Sequence, residues 1–217
     1  MARIVFDLDG TLIDSAPDIH GIANRLLAAE GKPAISLAQA RDFIGNGASV
    51  FVQKMRAANG IPDSEHDRLL SAFIAAYDDA VHLTVPYPGV RETLEALRGQ
   101  GHALGVCTNK PLRPTRAVLA HLGLDCFFDV VLGGDSLPVH KPNPAPLKAA
   151  FDALPDGREI YVGDSEVDAE TARRAEVPFL LFSEGYRKTP VDQIPHRQAF
   201  SRFDQLTPLI DNLLAAA

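Results

Sequence analysis

Cysteine is scarce in this chain of 217 residues, which has only Cys107 and Cys126. Their spacing fits no metal-binding or redox motif, so a cysteine metal or redox site is excluded. We expect two buried, reduced thiols, as is usual in the cytosol. The first apolar run, residues 4–6, is stopped by Asp7 and is too short for a secretory signal, so a cytoplasmic protein is expected.

Long apolar runs and an excess of positive charge are also lacking. No apolar run approaches the roughly 18 residues of a membrane span. Lys and Arg number 21 against 28 Asp and Glu, and the net charge of −7 argues against nucleic acid as the main partner, because duplex binding needs a basic face. Since 46% of the residues are apolar and no block of five like charges occurs, strong disorder is excluded too. The length suits one domain, or a core domain with one insertion.

Five short runs of apolar, β-branched or aromatic residues recur along the chain. Continuous runs of this kind, bounded by Gly, Asp or Pro, are typical of strands buried on both faces of a parallel sheet. Helical spacing of apolar residues separates most of them, which predicts an open α/β sheet with right-handed crossovers. The runs are residues 3–6, 102–107, 127–132, 159–162 and 178–182.

One interval breaks this alternation. Between about Asp14 and Thr84 only helical periodicity is found, with one apolar stripe at residues 19–27 and another at residues 69–77. We interpret residues 15–84 as an inserted helical domain, and residues 1–14 and 85–217 as the sheet domain. The proline-rich segment 86–89, where the chain returns to the sheet, would suit a hinge.

The strongest chemical signal lies at the end of the first run. Asp7 and Asp9 stand at i and i+2, which a strand directs to the same side, at the carboxyl end where open α/β sheets place their ligands. Such close acids repel each other unless a cation lies between them. A polar strand terminus leading into a turn at Gly10 is the structural alternative.

A second pair of acids follows the fourth run. Asp164 and Asp168 could simply cap a helix and favour its dipole. Together with Asp7 and Asp9, however, they would bring three or four carboxylates to neighbouring strand ends. Oxygen-rich acidic sites of this kind suit Mg²⁺.

Three other segments offer what an acidic site lacks. Thr108 and Asn109 follow the second run and supply a hydroxyl, an amide and backbone N–H groups for an anion, unless they only cap the next helix. Lys141 lies in a loop stiffened by three prolines, which could hold the lysine towards the carboxylates although solvated lysines are commoner. The turn at residues 45–47 lacks the third glycine of a dinucleotide fingerprint; it either presents N–H groups to an anion or merely joins two helices.

Four segments of the chain occur in the order of the four motifs of the haloacid dehalogenase superfamily, which the chain therefore resembles. The motifs are residues 7–11 (DLDGT), 108–109 (TN), 141–142 (KP) and 163–168 (GDSEVD). The resemblance implies a Rossmann-like parallel sheet core with an inserted helical cap of the C1 type. The chain is similar more narrowly to the phosphoglycolate phosphatase family at residues 43–48, 86–90, 106–111, 133–135 and 141–147.

The resemblance implies a phosphatase acting on a small phosphorylated metabolite, 2-phosphoglycolate before others. Asp7 would attack phosphorus to form an aspartyl-phosphate, and Asp9 would protonate the leaving alkoxide and then take a proton from water. Thr108 and the Asn109 backbone would hold the phosphoryl oxygens. Lys141 would offset the charge between nucleophile and phosphate.

The resemblance also implies a Mg²⁺ site and a substrate reader. Asp7, the Asp9 carbonyl and Asp164 would bind the metal, with Asp168 helping directly or through water. On the cap, Gly45, Asn46 and Gly47 would read the carboxylate of the substrate.

Other functions remain open at this point. The chain could hydrolyse another small phosphate ester or pyrophosphate, or act as a sugar-phosphate mutase of the same superfamily. A signalling receiver domain also uses Asp, Thr and Lys on a parallel sheet. It is disfavoured because such a domain is about half this length and carries its phosphorylated Asp after the third strand, whereas here the third run ends at Leu132.

Overall fold

The computed structural model describes residues 1–77 and 80–215. Its strands are β1 (Ala2–Phe6), β2 (Ile13–Asp14), β3 (Val85–Pro86), β4 (Ala103–Cys107), β5 (Val130–Leu132), β6 (Arg158–Gly163), β7 (Phe179–Phe182) and β8 (Gln198–Phe200). Its helices are α1 (Ala16–Ala29), α2 (Leu37–Phe43), α3 (Gly47–Ala58), α4 (His66–Tyr77), α5 (Val90–Gly99), α6 (Leu112–His121), α7 (Ala145–Asp152), α8 (Glu166–Ala175) and α9 (Leu206–Ala215). Within the described part of the chain, no helix combines the length and the apolar character needed to cross a membrane.

Six parallel strands form the main sheet, in the order β5-β4-β1-β6-β7-β8. Successive side chains of β1 point to opposite faces: Ile4 and Phe6 pack into one apolar core, and Val5 packs into the other. The same alternation holds along β4, β6 and β7, so the sheet is buried on both sides by helices. The predicted parallel α/β sheet with buried strands is therefore confirmed.

The sequence prediction was wrong in two details of this sheet and in the burial of one cysteine. It missed β8, a three-residue strand at the sheet edge in which only Phe200 is buried, so that no apolar run marks it. The third predicted strand is shorter than expected, because residues 125–127 form a 3-10 turn and pairing starts at Val130. Cys126 lies in that turn and is exposed, whereas Cys107 is buried in β4 as expected.

The helices α1 to α4, here called the cap helices, lie between β2 and β3 and form an apolar core of their own. Ile19 and Ile22 of α1 pack in this core with Phe51 of α3 and Phe73 of α4. Ile74, which we expected in the apolar stripe of α4, is 39% exposed because it lies on the outer face of the helix. The exact boundaries at 14/15 and 84/85 stay a prediction.

The chain leaves and re-enters the sheet domain through two adjacent segments. Strands β2 and β3 pair antiparallel, with Ile13 opposite Pro86 and Asp14 opposite Val85. The two connections to the cap helices thus run side by side, directly after the first motif of the sequence. This pairing places the cap helices over the carboxyl end of β1.

Candidate active site

Three adjacent strands deliver the predicted site residues to one edge of the sheet. Asp7 follows β1, Thr108 follows β4 and Asp164 follows β6, and β1 pairs with both of its neighbours. Because the strands are parallel, their carboxyl ends open at the same edge. The ladder continues to the site itself, where the Asp7 N–H donates to the Val162 carbonyl at 2.9 Å.

Lys141 reaches this edge from the long segment between β5 and α7. Its ammonium lies 2.8 Å from Asp7 Oδ1 and 2.7 Å from Asp168 Oδ1, and it is 2% exposed. Burial alone would lower the pKa of Lys141, but Asp168 and Asp7 raise it overall. The lysine is therefore charged, as the predicted role requires.

Asp7 is a buried carboxylate with spare capacity to accept. Its buried Oδ1 forms an ion pair with the Lys141 ammonium at 2.8 Å, and no other side chain among the described residues donates to this oxygen. Burial raises the pKa of Asp7 to about 7, although Lys141 acts in the opposite direction. Since a carboxylate offers about four acceptor sites, Asp7 can still bind a ligand group beside Lys141.

Asp164 is held in place by groups from two other parts of the chain. Thr11 Oγ1 donates to its Oδ1 at 2.8 Å, and the Tyr186 N–H donates to its Oδ2 at 2.6 Å. A Cβ on Gly10 would stand 2.6 Å from Asp164 Oδ2, and the φ of +89° at this position also favours glycine. Burial and the neighbouring acids raise the pKa of Asp164 well above its usual value.

Asp168 does two structural jobs at the start of α8. Its Oδ2 accepts from the backbone and hydroxyl of Ser165, which is the N-cap residue and completes a capping box with Asp168. Its Oδ1 accepts from Lys141 and from the Tyr161 hydroxyl, each at 2.7 Å. Although burial raises its pKa, Lys141, Ser165 and Tyr161 lower the pKa of Asp168 overall. The N-cap of α8 is thus Ser165. The alternative interpretation of the sequence, in which Asp164 caps this helix, was wrong.

The acidic cluster fits a hard divalent cation. Asp7, Asp164 and Asp168 each place a carboxylate oxygen within 4.8 Å of the others, all three residues are buried, and Lys141 is the one cation paired with them among the described residues. A donor set made only of carboxylate oxygens suits Mg²⁺. The Asp9 carboxylate lies outside this cluster, and the predicted contact of the metal with the Asp9 backbone carbonyl stays a prediction.

The Asp9 side chain is oriented by a separate set of contacts. Its Oδ1 accepts from Ser15 Oγ at 2.5 Å and from Lys110 Nζ at 3.1 Å. The Lys110 ammonium also donates to the Tyr77 hydroxyl at 2.8 Å and lies 4.0 Å from the centre of the Tyr77 ring. This arrangement links Asp9 to α4 of the cap helices.

The Asn109 side chain connects the site to the turn that precedes α3. Its amide donates to the carbonyls of Gly45 at 3.1 Å and of Lys141 at 3.0 Å, and its carbonyl accepts from the Lys141 N–H at 3.0 Å. Gly47, with a φ of +84°, comes so close that a Cβ would lie 3.4 Å from the Asn109 carbonyl oxygen. The turn at residues 45–47 therefore faces the site.

Two cavities adjoin Asp7 and Asp9. The first, here called the cap-side cavity, extends from Thr108 and Lys110 to the apolar residues of the cap helices, among them Ile19, Phe51 and Phe73. The second, the acid-side cavity, is lined by Asn46, Asp164 and Lys188, among others. A ligand bound to Asp7 can thus extend in two directions with different chemistry.

Sequence reasoning missed several residues of this site. Lys110 directly follows the Thr108–Asn109 pair. A lysine next to a predicted site motif was the signal that could have found it. Tyr161 lies within β6 and looks like a core residue, and nothing local marks Tyr186 as a partner of Asp164. Their roles depend on contacts between distant parts of the chain.

A family model, curated relatives and a solved structure each match most of the chain. The family model of haloacid dehalogenase-like hydrolases matches residues 4–182. A phosphoglycolate phosphatase of Cereibacter sphaeroides is 48% identical over 99% of this chain and 100% of its own length, and one of Rhodobacter capsulatus is 42% identical over 96% of each. A crystal structure described as a predicted phosphoglycolate phosphatase from Haemophilus somnus superposes with a TM-score of 0.89 at 33% identity, covering 97% of this chain and 98% of that one.

Proposed function

The chain belongs to the haloacid dehalogenase-like hydrolases, and from that membership we propose that it hydrolyses a small phosphate monoester, 2-phosphoglycolate before others, to the alcohol and phosphate. One observation carries the proposal: two carboxylates, Asp7 and Asp9, border the same cavity but have different environments. Asp7 lies against Lys141 and the acidic cluster, whereas Asp9 lies against Lys110 and Ser15. Such a difference in surroundings separates a nucleophile from an acid–base group.

Asp7 is the nucleophile in this proposal. An Asp7 oxygen attacks phosphorus, the bond from phosphorus to the ester oxygen breaks, and the phosphoryl group is carried on the Asp7 carboxylate. Lys141, 2.8 Å away, favours the ionised form of Asp7 and offsets the approach of two negative groups. Phosphoryl transfer requires mainly positioning and charge compensation, which a rigid, buried site supplies.

Asp9 moves the protons. In the first step its carboxyl group protonates the leaving alkoxide, and in the second its carboxylate takes a proton from the water that attacks the aspartyl-phosphate. Ser15 and Lys110 fix the direction of this carboxylate. Thr108 and the Asn109 backbone hold the phosphoryl oxygens at the end of β4.

Asp7, the Asp9 carbonyl and Asp164 would hold Mg²⁺, and Asp168 supports the site through Lys141. When bound, the cation neutralises phosphoryl charge as a Lewis acid. The cap helices shield the cap-side cavity from bulk water. Gly45, Asn46 and Gly47 contribute backbone N–H groups that can meet the carboxylate of the substrate.

The proposal is tested by release of inorganic phosphate from a panel of esters with Mg²⁺ present. The panel contains 2-phosphoglycolate, other small phosphate monoesters, pyrophosphate and a sugar phosphate. We expect the highest kcat/KM for 2-phosphoglycolate. Efficient turnover of another ester beside poor turnover of 2-phosphoglycolate would change the substrate, and isomerisation of the sugar phosphate without phosphate release would make the protein a mutase.

An Asp9→Asn variant is expected to lose roughly 10²- to 10⁴-fold of kcat on 2-phosphoglycolate, because no group protonates the alkoxide. On 4-nitrophenyl phosphate, whose leaving group needs no proton, the first step persists and the second is slow. A burst of nitrophenol close to one equivalent of enzyme should therefore precede a slow steady state, seen by stopped-flow absorbance. Similar losses on both esters without a burst would contradict the acid–base role.

Removal of divalent metal with a chelator is expected to stop turnover, and added Mg²⁺ to restore it. The cation also relieves repulsion in the acidic cluster, so saturating Mg²⁺ should raise Tm. At a concentration of 100 Kd the gain is about 2.7 kcal/mol, which corresponds to roughly 5–10 °C for a chain of this size. An Asp164→Asn variant should lose most of this shift, and a full shift in that variant would place the metal elsewhere.

A further inference from the structure

The cap-side cavity has an uneven distribution of charge. The cap helices contribute apolar groups to it, including Ile19, Phe51 and Phe73. Among the described residues that line it, Lys110 is the only one with a positive charge. A leaving group with a negative charge therefore has a single cation to meet on this side of Asp7.

Lys110 is held firmly in this position. It is 5% exposed, and its ammonium donates to Asp9 Oδ1 at 3.1 Å, to Asp9 Oδ2 at 3.4 Å and to the Tyr77 hydroxyl at 2.8 Å. Because the Tyr77 oxygen accepts from Lys110, its own proton is available to a further acceptor. Lys110 and Tyr77 thus form a pair of donors next to Asp9.

The chemistry of the reaction fixes what lies beside Asp9. Its carboxyl group must come within hydrogen-bond distance of the ester oxygen that leaves. In an ester with a carboxylate on the ester-bearing carbon, the carboxylate oxygens lie about 3 Å from that oxygen, which is one hydrogen-bond length. Lys110 Nζ is 3.1 Å from Asp9 Oδ1, which is the same spacing.

We propose that Lys110, assisted by the Tyr77 hydroxyl, binds the carboxylate of the leaving group and selects phosphate esters that carry a carboxylate on the ester-bearing carbon. This inference rests on the proposed phosphatase function and names the residue that decides its specificity. The sequence analysis assigned carboxylate binding only to Gly45, Asn46 and Gly47 before α3. The inference adds Lys110, which follows β4 of the main sheet. Since Lys110 follows β4 and Tyr77 ends α4, the carboxylate would be bound between the sheet domain and the cap helices.

The alternative is that Lys110 acts only by positioning Asp9. In that case its removal would slow every ester by a similar factor. A carboxylate-binding role instead predicts a loss that depends on the leaving group. The two roles are separated by comparing 2-phosphoglycolate with 2-hydroxyethyl phosphate, in which a neutral hydroxymethyl group replaces the carboxylate.

The test measures kcat and KM for both esters, with saturating Mg²⁺, in wild type and in a Lys110→Met variant. We expect wild type to prefer 2-phosphoglycolate, and the ratio of the two kcat/KM values to fall about 10- to 100-fold in the variant, the usual effect of losing a hydrogen bond to a charged group. Part of this loss should appear as a higher KM for 2-phosphoglycolate alone. If Lys110→Met does not fold, Lys110→Gln removes the charge and keeps a donor for Asp9.

Two other lysines serve as comparisons. Lys148 is exposed on α7 and is absent from the described linings of both cavities, so Lys148→Met should leave the ratio unchanged. Lys188 lines the acid-side cavity and is the competing cation. A ratio that collapses in Lys188→Met and not in Lys110→Met would overturn the inference.

The remaining outcomes separate this inference from the proposed function. Equal loss on both esters in Lys110→Met, or a wild type without preference for the carboxylated ester, overturns the inference and leaves the phosphatase intact. A wild type that prefers a different ester with a carboxylate on the same carbon, through Lys110, supports the inference and changes the substrate. If wild type hydrolyses no ester, both fail.

Discussion

An Asp7→Asn variant is expected to lose at least about 10⁴-fold of kcat on 2-phosphoglycolate while it remains folded. The amide keeps the shape of the side chain but cannot attack phosphorus. No other described carboxylate occupies its position at the end of β1. Phosphate release with Mg²⁺ present is the measurement, and far-UV circular dichroism reports the fold.

The same variant should be more stable than wild type when metal is removed. Asp7 belongs to a cluster of three buried carboxylates, two of which pair with Lys141, and burial raises the pKa of Asp7 to about 7, well above that of an exposed aspartate. Folding therefore disfavours the ionised form at neutral pH, and the free energy of unfolding falls as pH rises towards 7. A neutral Asn removes this cost, and each kcal/mol gained raises Tm by about 2–4 °C.

The matched control for this prediction is Asp152→Asn. Asp152 is exposed at the end of α7, so its replacement should change neither kcat nor metal-free Tm. Substantial turnover by Asp7→Asn would remove Asp7 as the nucleophile. A drop in its metal-free Tm would show that the contact with Lys141 outweighs the repulsion within the cluster.

The sheet was predictable because its strands are buried on both faces. Residues 4–6 and 178–182 read as continuous apolar runs, and burial on both sides of a parallel sheet requires such runs. Strand β8 carries no comparable signal, since its exposed edge positions place no demand on the sequence. A strand is therefore recognisable as an apolar run in the sequence only where its side chains are buried.

The position of the candidate residues at one edge of the sheet was predictable, and the contacts between them were much less so. Asp7, Thr108 and Asp164 stand out because each follows a strand, and the topology brings the three strand ends together. The Lys110–Tyr77 contact joins the segment after β4 to the end of α4, and the contact between Tyr186 and Asp164 joins a loop to a strand end. Such pairs have no fixed spacing along the chain, so no periodicity predicts them.

The two carboxylate oxygens of Asp168 have different roles. From the sequence, either a helix-capping role or a metal-binding role was open. Its Oδ2 belongs to the capping box with Ser165, and its Oδ1 holds Lys141. The capping box of α8 and the candidate site therefore share Asp168. Because the capping box fixes this side chain, it also fixes the Lys141 ammonium beside Asp7.

A Lys141→Met variant is expected to lose both activity and stability. The methionine fills a similar volume, but it leaves Asp168 fully buried without its ammonium partner and Asp7 without compensation. Removing one partner of a buried ion pair costs about 3–5 kcal/mol, which lowers Tm by roughly 6–20 °C for a chain of this size. Thermal unfolding in the presence of a chelator is the measurement, with Lys148→Met as the control.

The double variant Lys141→Met/Asp168→Asn shows whether the loss comes from the unpaired charge. With the carboxylate neutralised, Tm should recover towards that of Asp168→Asn alone, and the two substitutions should couple by about 1–3 kcal/mol. Activity should not recover, because Asp7 still lacks the cation that lies 2.8 Å away in wild type and favours its ionised form. Additive losses of stability in the double variant would mean that Lys141 stabilises the fold by packing and not by its charge.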